Sequence, residues 1–218
     1  MMMTMEMSQI PFSEACERNK EPIREVLLKY LRRGHLLEMG FGTAQHAFYF
    51  ANQFPNIKWF ASDVAENQHT FIQRQNQTKE LPPNLWGPLE LRARFDKTLS
   101  EQLSPQLSQI NYSSKFDYFF TANTLHIMSL EEVEIFCQQV HEILSTGALL
   151  FFYGPFKFRG EFTSVSNANF DQNLRSRGVG SCIKDFEWIR DILKNHKIEF
   201  SERNDLPANN QLLVFRSS

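Results

Sequence analysis

The chain has 218 residues, 42% of them hydrophobic, and a formal net charge of -2 at pH 7. That length carries a full hydrophobic core, and the balanced charge, with no Lys/Arg-rich run, argues against nucleic-acid binding. There is neither an apolar span long enough for a membrane helix nor a signal-peptide core after Met1-Met2-Met3, a repeat that leaves the start position open.

Pro11 to Lys20 leads into an amphipathic helix. Pro22 suits the first helical turn, and Ile23, Val26, Leu27, Tyr30 and Leu31 recur at helical spacing. Arg18-Asn19-Lys20 reads as a polar loop ahead of that helix, and Gly34 ends it. Cys16, Cys137 and Cys182 are odd in number and far apart. They suggest neither a disulfide framework nor a C-x-x-C metal site, and they fit a reducing cytoplasm.

Leu36-Leu37-Glu38-Met39 reads as a first strand. Gly40-Phe41-Gly42 turns the chain into a helix that buries Ala47, Phe50, Ala51 and Phe54. Glycines at such a turn let a ligand approach the main chain, and the helix start offers free N–H groups. The stretch is a nucleotide-site candidate. A dinucleotide fingerprint needs a third glycine where Gln45 stands, and Glu38 would repel a pyrophosphate. A ligand with an ammonium group would instead be held by Glu38. S-adenosylmethionine has an adenosine, an amino-acid tail and no phosphate. The alternative is a plain strand-turn-helix without a ligand.

Ile57 to Ser62 is the second strand, closed by Asp63. An acid there accepts hydrogen bonds from ribose hydroxyls; the alternative is a cap for a helix from about Ala65 to Asn76. Leu81 to Pro88 reads as a connection, Leu89 to Phe95 as the third strand, and Ser100 to Ser114 as a short helix with a loop. Phe116 to Ala122 is an apolar fourth strand running into Asn123-Thr124-Leu125-His126. Asn123 and His126 thereby reach the ligand end of a parallel sheet. Ser129-Leu130-Glu131-Glu132 is a capping box, opening a helix with Val133, Phe136, Cys137, Val140, Ile143 and Leu144 at its spacing; Gly147 stops it. Ala148 to Tyr153 is the fifth strand. Residues 156–180 form an insertion, with Ser166 to Arg177 a helix or lid. Asp185 opens a last helix, and Ile198 to Ser201 and Leu212 to Phe215 form a terminal hairpin. The order predicts an α/β three-layer sandwich: a Rossmann-like, seven-stranded, mostly parallel sheet with an antiparallel last strand, in one domain with an N-terminal helical segment 11–33.

The glycine turn, the acid ending strand two and the terminal hairpin resemble class I S-adenosylmethionine-dependent methyltransferases. More narrowly, the chain is similar to the methyltransferase-like protein 26 family. The blocks that carry this are Ala15 to Ile23, Gly42-Thr43-Ala44-Gln45-His46, Ser62-Asp63, Ala122 to His126, Tyr153-Gly154-Pro155-Phe156, Ser166-Asn167 with Phe170-Asp171 and Leu174 to Arg177, and Pro207 to Asn210 running to Arg216. The resemblance implies S-adenosylmethionine as cofactor. It puts Glu38, Gly40 and Gly42 at the amino-acid tail, Asp63 at the ribose, and Asn123 with Leu125 beside the cofactor; Thr43, in the same turn, is a further cofactor-binding candidate. It also draws Arg18-Asn19 and Asn209-Asn210 into a site. Two positions depart from the pattern. Ala44 replaces a glycine, and Arg92 stands where an Asp follows the third strand; either Arg92 or, with a shifted strand, Asp96 four residues on lies at the adenine.

The expected activity is methyl transfer to a small-molecule acceptor by a cytoplasmic enzyme without a metal. His126 and Tyr153 are the catalytic candidates. Arg18, Asn19, Arg175, Asn209 and Asn210 are the acceptor-binding candidates, the arginines suiting an acidic acceptor together with Arg177. The rivals are a cofactor-binding module that regulates a partner and, against Glu38 and Gln45, a dinucleotide-dependent oxidoreductase.

Overall fold

The structure is a computed structural model that describes residues 10–78, 80–178 and 180–218; Met1 to Gln9 lie outside it. The elements run α1 (Glu14–Tyr30), β1 (Gly34–Met39), α2 (Gln45–Gln53), β2 (Ile57–Asp63), α3 (Gln68–Gln77), β3 (Leu85–Glu90), α4 (Leu99–Gln109), β4 (Phe116–Ala122), α5 (Leu130–Gln139), β5 (Leu144–Gly154), β6 (Lys157–Phe158), β7 (Glu161–Phe162), α6 (Val165–Arg175), α7 (Phe186–Asn195), β8 (Ile198–Leu206) and β9 (Asn210–Ser217).

Seven strands form one sheet in the order β3-β2-β1-β4-β5-β9-β8, and β6 pairs with β7 apart from it. The first five strands are parallel; β9 runs antiparallel to both β5 and β8. Both faces are covered, so alternate residues of each central strand enter opposite cores. Leu37, Phe119, Phe152 and Phe215 pack with α4, α5 and α7. Leu36, Phe120, Phe151 and Val214 pack with α1, α2 and Phe71 of α3. The strand order reverses between β1 and β4. Open α/β sheets form their ligand crevice there, outside the carboxyl ends of the strands.

Several boundaries differ from the sequence reading. α1 begins at Ser13, whose hydroxyl accepts the Cys16 N–H, so Pro22 lies inside the helix and Arg18-Asn19-Lys20 are helical. Proline removes one helical hydrogen bond there, to the Arg18 carbonyl; the burial of Ile23, Val26 and Leu27 holds the helix across it. β3 spans Leu85–Glu90 and contains the Gly87–Pro88 pair, which read as a connection. It is an edge strand, where a missing N–H is tolerated. Consequently Leu91 to Phe95 follow the strand rather than form it. Gly147 does not end a helix. The helix gives way at Val140 to a short tighter turn, and β5 starts at Leu144 with Gly147 inside it at positive φ. The capping box at Ser129, strand β4 and the Asp185 cap stand where the sequence placed them.

Candidate cofactor and acceptor site

The turn after β1 folds as the glycines dictate. Gly40 and Gly42 both have positive φ. Their reasons differ. A side-chain carbon at Gly40 would stand 2.2 Å from Thr124 Oγ1, so Gly40 is glycine because the loop after β4 crowds it. At Gly42 the same carbon would meet nothing within 4 Å. Its empty side is open space on the wall of a cavity of about 940 Å³, at the upper end of small-molecule sites. Ala44 takes the left-handed conformation at φ 58 and buries its methyl completely. The helix start therefore has room for the residue that replaces glycine.

Asp63 ends β2 on the same wall. Its carboxylate accepts Gly42 N–H at 2.7 Å, Val64 N–H at 2.7 Å and Asn67 Nδ2 at 3.0 Å. A carboxylate has about four acceptor sites, so three bonds fix its position and leave capacity for a ligand hydroxyl. Arg92 lines the cavity beyond β3, with Nη2 2.8 Å from Glu66 and Nη1 3.7 Å from Glu132. Asn123 leaves β4 at φ 59, its N–H donating to Tyr153 O at 2.9 Å.

The far half of the cavity is built from α1, α6, the end of β5 and the β8–β9 turn. Arg18, Asn19, Tyr153, Asn167, Phe170 and Asn210 line it. His46, from the first turn of α2, is buried and donates through Nε2 to Asn19 Oδ1 at 2.7 Å. Burial lowers its pKa to about 4, against the pull of the Cys16 carbonyl. His126 is buried beside Phe170, ring centroids 5.2 Å apart. Burial, then the nearby Lys184 and Arg177 charges, hold it at about 4 as well. Burial also raises the Tyr153 pKa, while Asn19 and Asn210 beside its hydroxyl pull it back.

Of the residues read from sequence, Gly40, Gly42, Thr43, Asp63, Arg92, Asn123, His126, Tyr153, Arg18, Asn19 and Asn210 line this one cavity. Five do not. Glu38 is 1% exposed and lies behind the turn, bonded to Trp59 Nε1 at 2.6 Å. Leu125 packs into the core on the α5 side. Asp96 is exposed and bonded through both oxygens to Arg94. Arg175 is held by Asp171 at 2.6 Å, away from the wall. Asn209 ties the β8–β9 turn to Ser166 and Asn167 of α6 instead. Sequence reasoning missed Asn67, His46, Glu132 and Phe170. Glu132 was absorbed by its capping role, and His46 and Phe170 stood unassigned within the family-like blocks.

Among the described residues, no helix is long and apolar enough to cross a membrane, and no group of three His, Cys, Asp or Glu is placed to hold a metal ion. The sheet order and its flanking helices define a Rossmann-like fold. The chain resembles an O-methyltransferase family protein from Burkholderia thailandensis at a TM-score of 0.71 and 11% identity, over 94% of this chain and 58% of that one. It resembles human N-acetylserotonin methyltransferase, solved in complex with S-adenosylmethionine, at 0.69 and 14%, over 94% and 53%. The pyocyanin biosynthetic protein PhzM matches at 0.69 and 12%, over 94% and 56%. At these identities the likeness is one of fold, and the chain spans little more than half the length of each. The chain belongs to the DUF938 family, described as protein of unknown function, whose family model matches residues 10–217.

Proposed function

We propose that the cavity binds S-adenosylmethionine and that the protein transfers its methyl group to a small-molecule acceptor. The observation that carries this is the pairing of the Asp63 carboxylate with the open side of Gly42 on one wall of the switch-point crevice. An acceptor-rich wall beside bare main chain suits a ribose and an amino-acid tail. It does not suit a pyrophosphate, which the Asp63 carboxylate would repel. The blocks shared with the methyltransferase-like protein 26 family support the same reading.

In it, Asp63 holds the ribose hydroxyls, Gly40, Gly42 and Thr43 border the tail, and Arg92 with Glu132 flanks the adenine in place of Asp96. Bound there, the cofactor would supply an electrophilic methyl, whose bond to sulfur breaks with both electrons on sulfur as the acceptor's lone pair bonds to carbon. The chain's own task is to align the acceptor and exclude water. His126 is a neutral imidazole at pH 7 and can accept a proton, but its low pKa makes it a weak base. Tyr153 and Asn19 orient the acceptor by hydrogen bonding. Arg92 is paired and on the wall, so its replacement of an Asp does not close the site.

Calorimetric titration with S-adenosylmethionine and with S-adenosylhomocysteine tests this. Wild-type protein is expected to bind both, and Asp63→Ala to bind at least about tenfold more weakly, the effect of losing a hydrogen bond to a charged group. A thermal melt confirms that the variant is folded. Unchanged affinity in folded Asp63→Ala, or no binding by folded wild type, would sink the reading.

A further inference from the structure

Four charged side chains line the cavity among the described residues: Arg18, Asp63, Arg92 and Glu132. Three of them belong to the half read above as the cofactor site, where Arg92 lies between Glu66 and Glu132. Arg18 is the fourth. No described carboxylate pairs with it. It projects from α1 next to Asn19, and its charge reaches the Tyr153 hydroxyl at the end of β5. Of the other candidate cations, Arg175 is occupied by Asp171, and both it and Arg177 are off the wall.

The far half therefore has a fixed electrostatic character. Its walls offer neutral hydrogen-bonding groups, Asn19, Tyr153, Asn167 and Asn210, and an aromatic surface at Phe170. They offer no carboxylate. The charges felt at His126 are also positive, from Lys184 and Arg177. Lys184 is 1% exposed and donates to the Met128 and Cys182 carbonyls; the Asp171 and Glu132 carboxylates act on its charge without forming an ion pair with it. A cation entering this half would find no carboxylate on its walls to receive it. An anion would meet an unpaired guanidinium, which binds carboxylates in a fixed two-pronged geometry. A weak base at His126 fits the same picture, because an acceptor that is already an anion needs little proton abstraction.

We infer that the methyl acceptor is a small organic anion whose charged group is held by Arg18 and whose apolar body lies against Phe170. This rests on the cofactor reading above, and the test separates the two. Protein saturated with S-adenosylhomocysteine is titrated with three probes of one shape: benzoate, benzamide and benzylamine. Benzoate is expected to bind at least about tenfold tighter than the others, a gain of the size a charge-assisted pair gives. Arg18→Gln should lose that preference and Arg18→Lys recover part of it, with S-adenosylhomocysteine affinity unchanged in both. Equal or tighter binding of benzylamine, no binding of benzoate, or an unchanged preference in Arg18→Gln would overturn the inference while the cofactor site stands. Weaker S-adenosylhomocysteine binding by Arg18→Gln would put the guanidinium at the cofactor's own carboxylate, and would overturn it too. Failure of wild type to bind S-adenosylhomocysteine would remove the cofactor reading and this inference together.

Discussion

Replacing Glu38 by Gln should make the protein more stable, and increasingly so as pH rises. Glu38 sits in the apolar layer between β1 and α2, with the indole N–H of Trp59 donating to it at 2.6 Å. Burial is the main cause that pushes its pKa from 4.5 up to about 8; the Trp59 bond opposes it and the Asp63 charge adds to it. The folded protein thus keeps a proton on Glu38 over a range in which the unfolded chain has lost it. Stability falls as pH rises from 4.5 to about 8, by about 1.4 kcal/mol per unit, and is level beyond. Across the whole window the loss is on the order of 4 to 5 kcal/mol. Glutamine cannot ionise and keeps a carbonyl oxygen for Trp59. Urea denaturation of both proteins between about pH 5 and about pH 9 measures the difference. Histidine titrations occur in both proteins and cancel in it. The gap should widen up to about pH 8 and then flatten. A gap that does not change with pH would refute burial as the dominant influence on this carboxyl.

The acid side of the stability curve belongs to the histidines. His46 and His126 are both held at about 4, so the unfolded chain takes up protons that the folded one refuses, and stability is lost as pH falls from about 6.5 towards 4. His126→Gln should remove about 3 kcal/mol of that acid loss; an acid unfolding midpoint equal to the wild type's would contradict it. The two glycines of the turn should behave differently. Gly40→Ala meets Thr124 at 2.2 Å and at φ +81, and should cost about 2 to 4 kcal/mol of stability, partly restored by adding Thr124→Ala. Gly42→Ala has φ +53 and open space, and should cost only about 1 kcal/mol while weakening S-adenosylmethionine binding in calorimetry. Equal stability losses in the two variants would show that crowding by Thr124 is not what fixes Gly40.

Much of the fold was legible because its signals are local. The capping box at Ser129 opens α5 through two reciprocal bonds between residues three apart, and β4 is an unbroken apolar run. Two of the misread boundaries turn on proline. Pro22 was taken for a helix start and Pro88 for a loop. Tertiary packing carries α1 through the first, and the sheet edge accommodates the second. The true start of α1 was marked only by Ser13, an N-cap without a glutamate three residues on.

The two halves of the candidate site differed in legibility for the same reason. Gly40, Gly42 and Asp63 lie at the ends of adjacent strands, so one strand-helix-strand unit places them, and their spacing gives them away. Even there the alternation of β1 was overlooked. Glu38 shares a face with Leu36, and Leu36 points into the helix-covered core. The same alternation therefore sends Glu38 beneath the turn rather than into the crevice. The far half draws on α1, β5, α6 and the β8–β9 turn, elements from opposite ends of the chain with no shared periodicity. What unites them is a charge balance in space: an unpaired Arg18 facing walls without an acid. The Asp171–Arg175 pair, four residues apart on α6, is a local pattern; that Arg18 stays unpaired and reaches the same cavity as Tyr153, Phe170 and Asn210 is not, because it depends on how distant elements pack.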